Sequence, residues 1–558
     1  MKYVDKIIFR NKETYNRLYQ GSELLFEVQK EVEWKGLTFT ALEPSIIQYT
    51  PSGVSTAQYS YDAVNWETAD KVTINLNTGD KVYFKGNIIS NQSYNSNYAN
   101  FTMTGKVAAS GSIMSMQNGN PRDKSLRYDY EFSYMFSDCT SLVTAPELPA
   151  TTLKSYCYSF MFFGCTSITT APELPATILS KHCYDCMFRN CENLVNAPEL
   201  TATTLANGCY SYMFDGCTSL VTAPELPATT LTHSCYDSMF GSCTSLTTAP
   251  ELPATTLGNY CYQYMFRGCT SLKTAPALPA TTLTERCYDN MFSDCTSLVN
   301  APELPATRLA EYCYFCMFEN CKSLVKAPEL PATTLAPYCY EDMFVRCTSL
   351  VNAPVLPATT LANECYSSMF DGCTSLVTAP ELPATKLAPY CYSNMFANCS
   401  SLVNAPVLPA TTLADICYLS MFRYCTSLVN APELPATRLA NNCYSSMFRG
   451  CTSLINAPAL PATTLKNFCY NIMFYGCTSL VNAPELPATT LSDYCYKEMF
   501  NGCSKLNYIK CYAKEYNSNW FADWVKDVST TGDFYCYNAS IFKKGTSGIP
   551  TGWTVHNI

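Results

Sequence analysis

A 26-residue unit recurs from Cys139 to Cys503 without one insertion or deletion. Fourteen whole periods fit between these two cysteines, and the unit that begins at Cys217 reads CTSLVTAPELPATTLTHSCYDSMFGS. A fixed period in this range is typical of solenoids, in which each unit buries its apolar face only against its neighbours. We therefore call each unit a coil and number its positions 1 to 26 from the first cysteine.

Within a coil, positions 4 to 10 are predicted to be extended. The proline at position 8 limits the parallel strand to about three or four residues, because proline cannot donate to a ladder. Positions 15, 19 and 23 and the next position 1 are spaced by four, which predicts the buried face of a short helix. In one coil these are Leu231, Cys235, Met239 and Cys243, with Thr229 and Thr230 placed to cap the helix. The predicted fold is an α/β repeat solenoid, a leucine-rich-repeat-like array of short parallel strands and short helices.

The flanks of the array are built differently. Residues 1–33 are predicted to be a leader or attachment segment with strand-like stretches at 7–10 and 23–28. Residues 34–130 alternate β-rich runs, at 37–41, 71–76 and 81–85, with turn signals and a polar loop at 91–100, which predicts a small β-sandwich-like domain. The solenoid of about fourteen units then spans residues 131–510, and residues 511–558 are predicted to form a C-terminal cap. Every tryptophan lies outside the array, as expected for plugs that close its core: Trp34, Trp66, Trp520, Trp524 and Trp553.

The Met-Phe-x-x-Cys-x-x-Leu motif, as in the stretch from Met213 to Leu220, resembles the BspA-type leucine-rich repeats of bacterial and phage surface proteins. The resemblance covers roughly residues 131–510, although this unit is a few residues longer and carries a recurring A-P-x-L-P-A-T segment. Residues 7–27 also resemble short leaders of phage tail-associated proteins. Residues 545–555 resemble the closing segment of gut-bacterial proteins with such arrays. These resemblances imply a surface-displayed protein.

Composition narrows the possible partners. Charged residues make up 15% of the chain and the net charge is −9, which argues against nucleic acid, since phosphate binding needs clustered Lys and Arg. The sequence contains no run of 18 apolar residues, so we predict no membrane span. The first residues lack the apolar segment of a classical signal peptide, so we expect another route if the protein acts outside a cell.

Thirty-three cysteines raise the question of disulfides. Fifteen of them head the coils at position 1 and fourteen occupy position 19. Equivalent residues of stacked coils lie about 4.7–4.9 Å apart, farther than the roughly 3.8 Å between the Cβ atoms of a disulfide. We interpret the cysteines as reduced, buried columns. The alternative is a bridge between the two cysteines of one coil.

Positions 16–18, 21–22 and 25–26 vary between the copies and are predicted to form one exposed strip. Tyrosine and arginine are enriched at binding hot spots, so the strip is a candidate recognition surface. The alternative is that these positions drift because nothing contacts them. The candidate binding residues are Arg286 and six tyrosines of position 18, which are Tyr156, Tyr260, Tyr312, Tyr338, Tyr390 and Tyr494.

Position 9 is Glu in ten of the fourteen coils. Carboxylates stacked about 5 Å apart repel one another by roughly 1 kcal/mol per pair even in a water-like dielectric. A hard cation such as calcium would relieve the repulsion; the alternative is that the side chains splay into solvent. The candidates for such a cation site are the glutamates of five consecutive coils, Glu147, Glu173, Glu199, Glu225 and Glu251.

The sequence contains no predicted catalytic site. Its three histidines have no triad partners, and the pairs Cys183/Cys186 and Cys313/Cys316 lack the fourth ligand that structural zinc needs. We predict no cofactor. The function hypothesis is a non-catalytic binding or adhesion protein that presents its variable strip to a protein or glycan on a bacterial or host surface, as a tail or appendage component of a phage virion. The alternatives are a bacterial cell-surface adhesin and a purely structural spacer.

Overall fold

The computed structural model describes residues 34–52, 56–86 and 98–558, and the backbone alone of residues 17–20 and 23–27. The strand predicted at 23–28 is present, whereas the stretch at 7–10 and most of the loop at 91–100 lie outside the described residues. The elements are β1 Arg17–Gln20, β2 Glu23–Glu27, β3 Thr38–Ala41, β4 Ser45–Thr50, β5 Gln58–Ser60, β6 Glu67–Thr68, β7 Val72–Leu76, β8 Lys81–Lys85, β9 Asn100–Thr104, β10 Val107–Ser110, α1 Ser115–Asn118, β11 Leu142–Thr144, β12 Tyr508–Cys511, β13 Asp533–Cys536, a 3₁₀ turn Ala539–Ile541 and β14 Thr554–Asn557.

Two sheets form the N-terminal β region. One has the order β11-β10-β3-β8-β5-β6 and the other the order β7-β4-β9. Their buried faces share aromatic contacts, with ring centroids 5.0 Å apart for Phe39 and Phe101 and 6.1 Å apart for Tyr49 and Phe84. Strand β10 pairs in parallel with β11, the first strand of the array. The sheet of the β region therefore continues directly into the solenoid.

The predicted helix of each coil is wrong. Positions 15 to 26 form overlapping β-turns, in which alternate N–H groups bond three residues back or to the next coil. The Cys157 N–H, for example, donates to the Lys154 carbonyl, whereas the Tyr158 N–H donates to the Cys183 carbonyl at 3.0 Å. An α-helix would satisfy its N–H groups internally and leave none for the neighbouring coil. This leg, which we call the turn leg, thus couples the coils through the backbone.

Every fourth residue of the turn leg has a left-handed backbone. Positions 18, 22 and 26 have positive φ in all fourteen coils, as the third residue of a type II turn requires. The four-residue repeat of this turn produces the same i, i+4 burial that suggested a helix. Position 26 is accordingly Gly in seven coils and Asn in three, the residues that tolerate this conformation best.

The predicted parallel strand is shorter than expected in most coils. Between β11 and β12 the described coils pair only through single-residue parallel bridges, mainly at positions 6 and 14. Thr230, expected to cap a helix, instead bridges to Thr256. Prolines at positions 8 and 11 remove the donors that a longer ladder would need.

Two aromatic columns run through the core. Tyrosines of position 20 and phenylalanines of position 24 stack from coil to coil with ring centroids 5.4 to 6.1 Å apart. Phe101 of β9 stacks on Phe136 at the N-terminal end, and buried Trp524 covers Tyr496 and Phe500 at the C-terminal end. The predicted tryptophan plug is therefore found at the C-terminal end, whereas Phe101 closes the other.

All thirty-three cysteines are free and buried, in agreement with the reduced-column interpretation. From Cys165 onward, each thiol of position 1 donates to the carbonyl of the position-24 phenylalanine that lies 29 residues before it, at 3.0 to 3.2 Å. Burial raises the pKa of these thiols, that of Cys191 to about 12. The cysteine therefore serves as a small apolar side chain with one weak donor.

Candidate functional site

The side chains of positions 16–18, 21–22 and 25–26 form a surface that we call the turn face. Most of the predicted binding residues here contact neighbouring coils. Tyr156 stacks on Tyr130 at 4.6 Å and on His182 at 4.8 Å. Tyr312 and Tyr338 stack on each other at 4.3 Å. These rings lie face to face, so that mainly their edges are left for a partner.

The remaining candidates differ in their exposure. Tyr494 stacks on Phe468 at 4.8 Å. The Tyr260 hydroxyl donates to Glu285 at 2.8 Å, and this hydrogen bond raises the pKa of Tyr260. Tyr390 is 39% exposed, which makes it the most accessible of the six position-18 tyrosines.

Arg286 belongs to a network inside the turn face. Its Nη1 donates to Asp289 at 2.8 Å, and its guanidinium lies 4.1 Å from the centroid of the Tyr312 ring. The buried Asp289 side chain also accepts from the amides of Gln263 and Asn290. The charge of Arg286 is therefore paired within its own coil, and its contact with the Tyr312 ring couples this coil to the next.

Partly buried carboxyls are a feature of the turn face that the repeat pattern did not reveal. Burial raises the pKa of Asp237 to about 7, with Asp185 and other acids adding repulsion. Burial and the neighbouring Asp342 and Glu364 raise the pKa of Glu341 to about 8. The turn face consequently takes up protons near neutral pH.

The opposite surface, which we call the strand face, consists of positions 5 to 14. The residue at position 9 is exposed in every coil, and the five glutamates of the proposed cation column are among them. Within the described residues, no group of three or more His, Cys, Asp or Glu side chains could hold a metal ion. The arrangement fits the splayed alternative, and cation binding by the column stays a prediction.

Invariance on the strand face is not explained by burial. Position 11 is proline in thirteen of fourteen coils, yet its side chain is partly or fully exposed throughout. Open grooves of about 320 to 500 Å³ lie between successive A-P-x-L-P segments. One groove is lined by Pro302 and Glu303 together with Pro328 and Glu329 of the next coil. The strand face thus repeats the same pattern of proline-lined grooves and glutamates along the array.

A column of exposed aliphatic side chains was missed by the sequence reasoning. Position 5 is valine or isoleucine in eight consecutive coils, all at least partly exposed. Two position-9 residues are valines: Val355 is 66% exposed and Val407 is 75% exposed. The signal was present in the repeats, because an apolar residue beside the buried Leu of position 4 breaks strand alternation. Contiguous exposed apolar surface is typical of interaction sites.

Comparison with known proteins identifies the repeat. The model of the BspA type leucine rich repeat region matches in six overlapping copies, at residues 132–223, 156–299, 199–325, 256–403, 316–454 and 390–528. Together these matches cover well over half of the chain. No curated protein and no solved structure matches it. Within the described residues, no helix is long and apolar enough to cross a membrane.

Proposed function

Because the chain belongs to the family of BspA-type leucine-rich repeat proteins, we propose that it is a non-catalytic binding protein whose array presents the strand face to a partner. The observation that carries this proposal is the exposed, nearly invariant proline column beside the grooves. Fourteen coils at about 4.8 Å give a binding face on the order of 70 Å long. The partner is a protein or glycan on a bacterial or host surface.

The turn-face strip is the second candidate. It is favoured by the 39% exposure of Tyr390, an amphipathic side chain of the type that anchors interfaces. Against it stands the use of Arg286 and Tyr312 in contacts between coils. The strand face offers more uncommitted apolar surface, including Val355 and Val407.

Repeats of this type are commonly surface-associated. We place this protein on a phage virion, as a tail or appendage component, because residues 7–27 resemble leaders of tail-associated proteins. A bacterial cell-surface adhesin is the alternative location. Proteomics of purified particles and fractionation of bacterial cells distinguish the two: enrichment in particles supports the virion, and enrichment in the cell envelope supports the adhesin.

The choice of face is tested with the full chain in pull-downs from bacterial surface extracts. A strand-face variant carries Val355→Ser, Glu381→Gln and Val407→Ser, and a matched turn-face variant carries Tyr390→Ser in the same part of the array. We expect the strand-face variant to lose at least about tenfold in captured partner, since each exposed anchor contributes about 1 kcal/mol or more at a hot spot. Loss in the turn-face variant alone would transfer the site to that face. Unchanged capture by both would support a structural spacer.

A further inference from the structure

A buried glutamate begins one of the cysteine columns. In the register of the repeat Glu131 falls at position 19, the position that is cysteine in all fourteen coils that follow. Its side chain is 2% exposed and lies between α1 of the β region and the first coil. A carboxyl therefore stands at the junction of the two parts of the molecule, where the repeat otherwise has a neutral thiol.

The hydrogen bonds of this carboxyl are distributed unevenly. Glu131 Oε2 accepts from the N–H groups of Arg127 and Tyr128, at 2.8 and 3.3 Å, and from Gln117 Nε2 at 3.3 Å. Glu131 Oε1 is buried and accepts from no donor, and the same is true of Gln117 Oε1. The orientation of the Gln117 amide is fixed, because its Nε2 also donates to the Ser125 carbonyl at 3.2 Å.

Two acceptors without a donor, on side chains that hydrogen-bond to each other, are costly in a buried place. A single proton makes Glu131 Oε1 a donor, and Gln117 Oε1 is a buried acceptor on the side chain that already contacts this carboxyl. A hydrogen bond between the two oxygens would satisfy both. The ionised carboxylate has no such solution, because it can only accept.

No buried cation balances a charge on Glu131 among the groups that the structure describes around it. Arg127 is 46% exposed and pairs with Asp123 at 3.9 Å. The first coil contributes the Cys157 thiol and the Tyr158 hydroxyl, and burial raises the pKa of both well above ordinary values. Helix α1 contributes the uncharged Gln117. Burial raises the pKa of Glu131 as well.

We propose that Glu131 is a neutral carboxylic acid in the folded protein at neutral pH and forms a pH-sensitive link between the β region and the first coil. The protonated side chain joins α1 to the array through Gln117. Ionisation at higher pH removes the proton that a hydrogen bond between the two bare oxygens requires. The link is thus complete in acid and neutral solution and weakens as the pH rises.

The test compares the full-length wild type with Glu131→Gln, whose amide carries a donor permanently, and with the exposed control Glu147→Gln. Partly buried acids elsewhere, such as Asp237, titrate in all three proteins and cancel in the ratio of unfolding constants. We expect the wild-type constant to rise relative to that of Glu131→Gln by up to about tenfold per pH unit, from roughly pH 5 to the pKa of the folded carboxyl. The ratio of wild type to Glu147→Gln should stay nearly constant.

Infrared spectroscopy of labelled glutamate gives a second readout that does not depend on unfolding constants. At neutral pH the wild type should show a stronger C=O stretch of protonated carboxylic acid than Glu131→Gln, in which Glu341, with its pKa raised to about 8, still contributes to this band. The proposal is overturned if the wild-type spectrum minus that of Glu131→Gln contains only carboxylate bands. It is equally overturned if the ratio of unfolding constants does not change with pH.

Discussion

The two faces of the array differ in how sequence variation relates to exposure. The turn face varies from coil to coil, yet its side chains pair with the next coil, as Gln263 does with Asp289 at 2.9 Å and Asn398 with Asp371 at 2.7 Å. The strand face repeats nearly the same residues, yet the proline of position 11, the residue of position 9 and the aliphatic column remain accessible. Variation among repeats therefore does not by itself indicate a recognition surface. Where neighbours pair specifically, changes must be matched in adjacent coils.

The largest expected difference in the free energy of unfolding is between truncating an apolar side chain of the core and truncating one of the strand face. Phe292→Ala removes one ring from the buried column between Phe266 and Phe318, and we expect a loss of about 3–5 kcal/mol in the free energy of unfolding. The matched change Val407→Ala, at a 75% exposed position of the strand face, should cost less than about 0.5 kcal/mol. Denaturant unfolding measures both, and comparable losses would contradict the assignment of the strand face to the surface.

A smaller effect is expected from the paired network of the turn face. Asp289→Ala leaves Arg286, Gln263 and Asn290 without their shared acceptor, and we expect a loss of about 2–3 kcal/mol. Glu251→Ala, an exposed acid of the strand face, is the control and should change stability little. If both variants unfold at the wild-type denaturant concentration, the turn face does not couple the coils through this network.

Stability should also depend on pH through the turn face. The pKa of Asp237 is raised to about 7 and that of Glu341 to about 8, above the values of the unfolded chain. The folded state therefore binds more protons, and the free energy of unfolding should fall as the pH rises from about 4 to 8. Because the carboxyls are partly solvated, we expect Asp237→Asn to remove only about 1–2 kcal/mol of this dependence. An identical pH profile for Asp237→Asn and wild type would refute the assignment.

The sequence was sufficient to predict the period, the buried positions and the reduced cysteines, because stacking makes each of these repeat identically. Leu231, Cys235 and Met239 are buried as expected. The sequence was misleading about the backbone that joins these buried residues, because its spacing suggested a helix. A spacing of four is shared by a helix and by successive four-residue turns, and only the Gly and Asn of position 26 indicate the left-handed residue that distinguishes them.

Features that depend on which two residues meet in the folded chain were harder to predict from the sequence. Glu131 can be aligned with the cysteine column from sequence alone, but its bare oxygen depends on where Gln117 lies. Likewise Tyr312 is a plausible anchor until its ring is placed on Tyr338. The tyrosine strip therefore remains a prediction about binding, while its packing role follows from geometry.

The left-handed positions offer a finer test of the turn leg. Gly476 has φ of +71° and no side chain close enough to obstruct an added Cβ. Gly476→Ala should therefore cost about 1 kcal/mol through the backbone alone, and Gly476→Asn should cost less because Asn tolerates this region. Thermal unfolding of the two variants measures the difference. Equal stability of Ala and Gly at this position would mean that the turn leg does not hold a left-handed residue here.

The smallest expected effect concerns the glutamates of the strand face. Changing Glu199, Glu225 and Glu251 together to Gln relieves repulsion between neighbours in solvent, and we expect a gain of about a few tenths of a kcal/mol for each relieved contact, fading at high salt. Because the side chains are exposed, added calcium should leave the melting temperature of the wild type unchanged. A calcium-dependent rise in melting temperature that the triple variant lacks would instead show that the glutamate column binds the cation. The strand face would then be a metal-dependent surface.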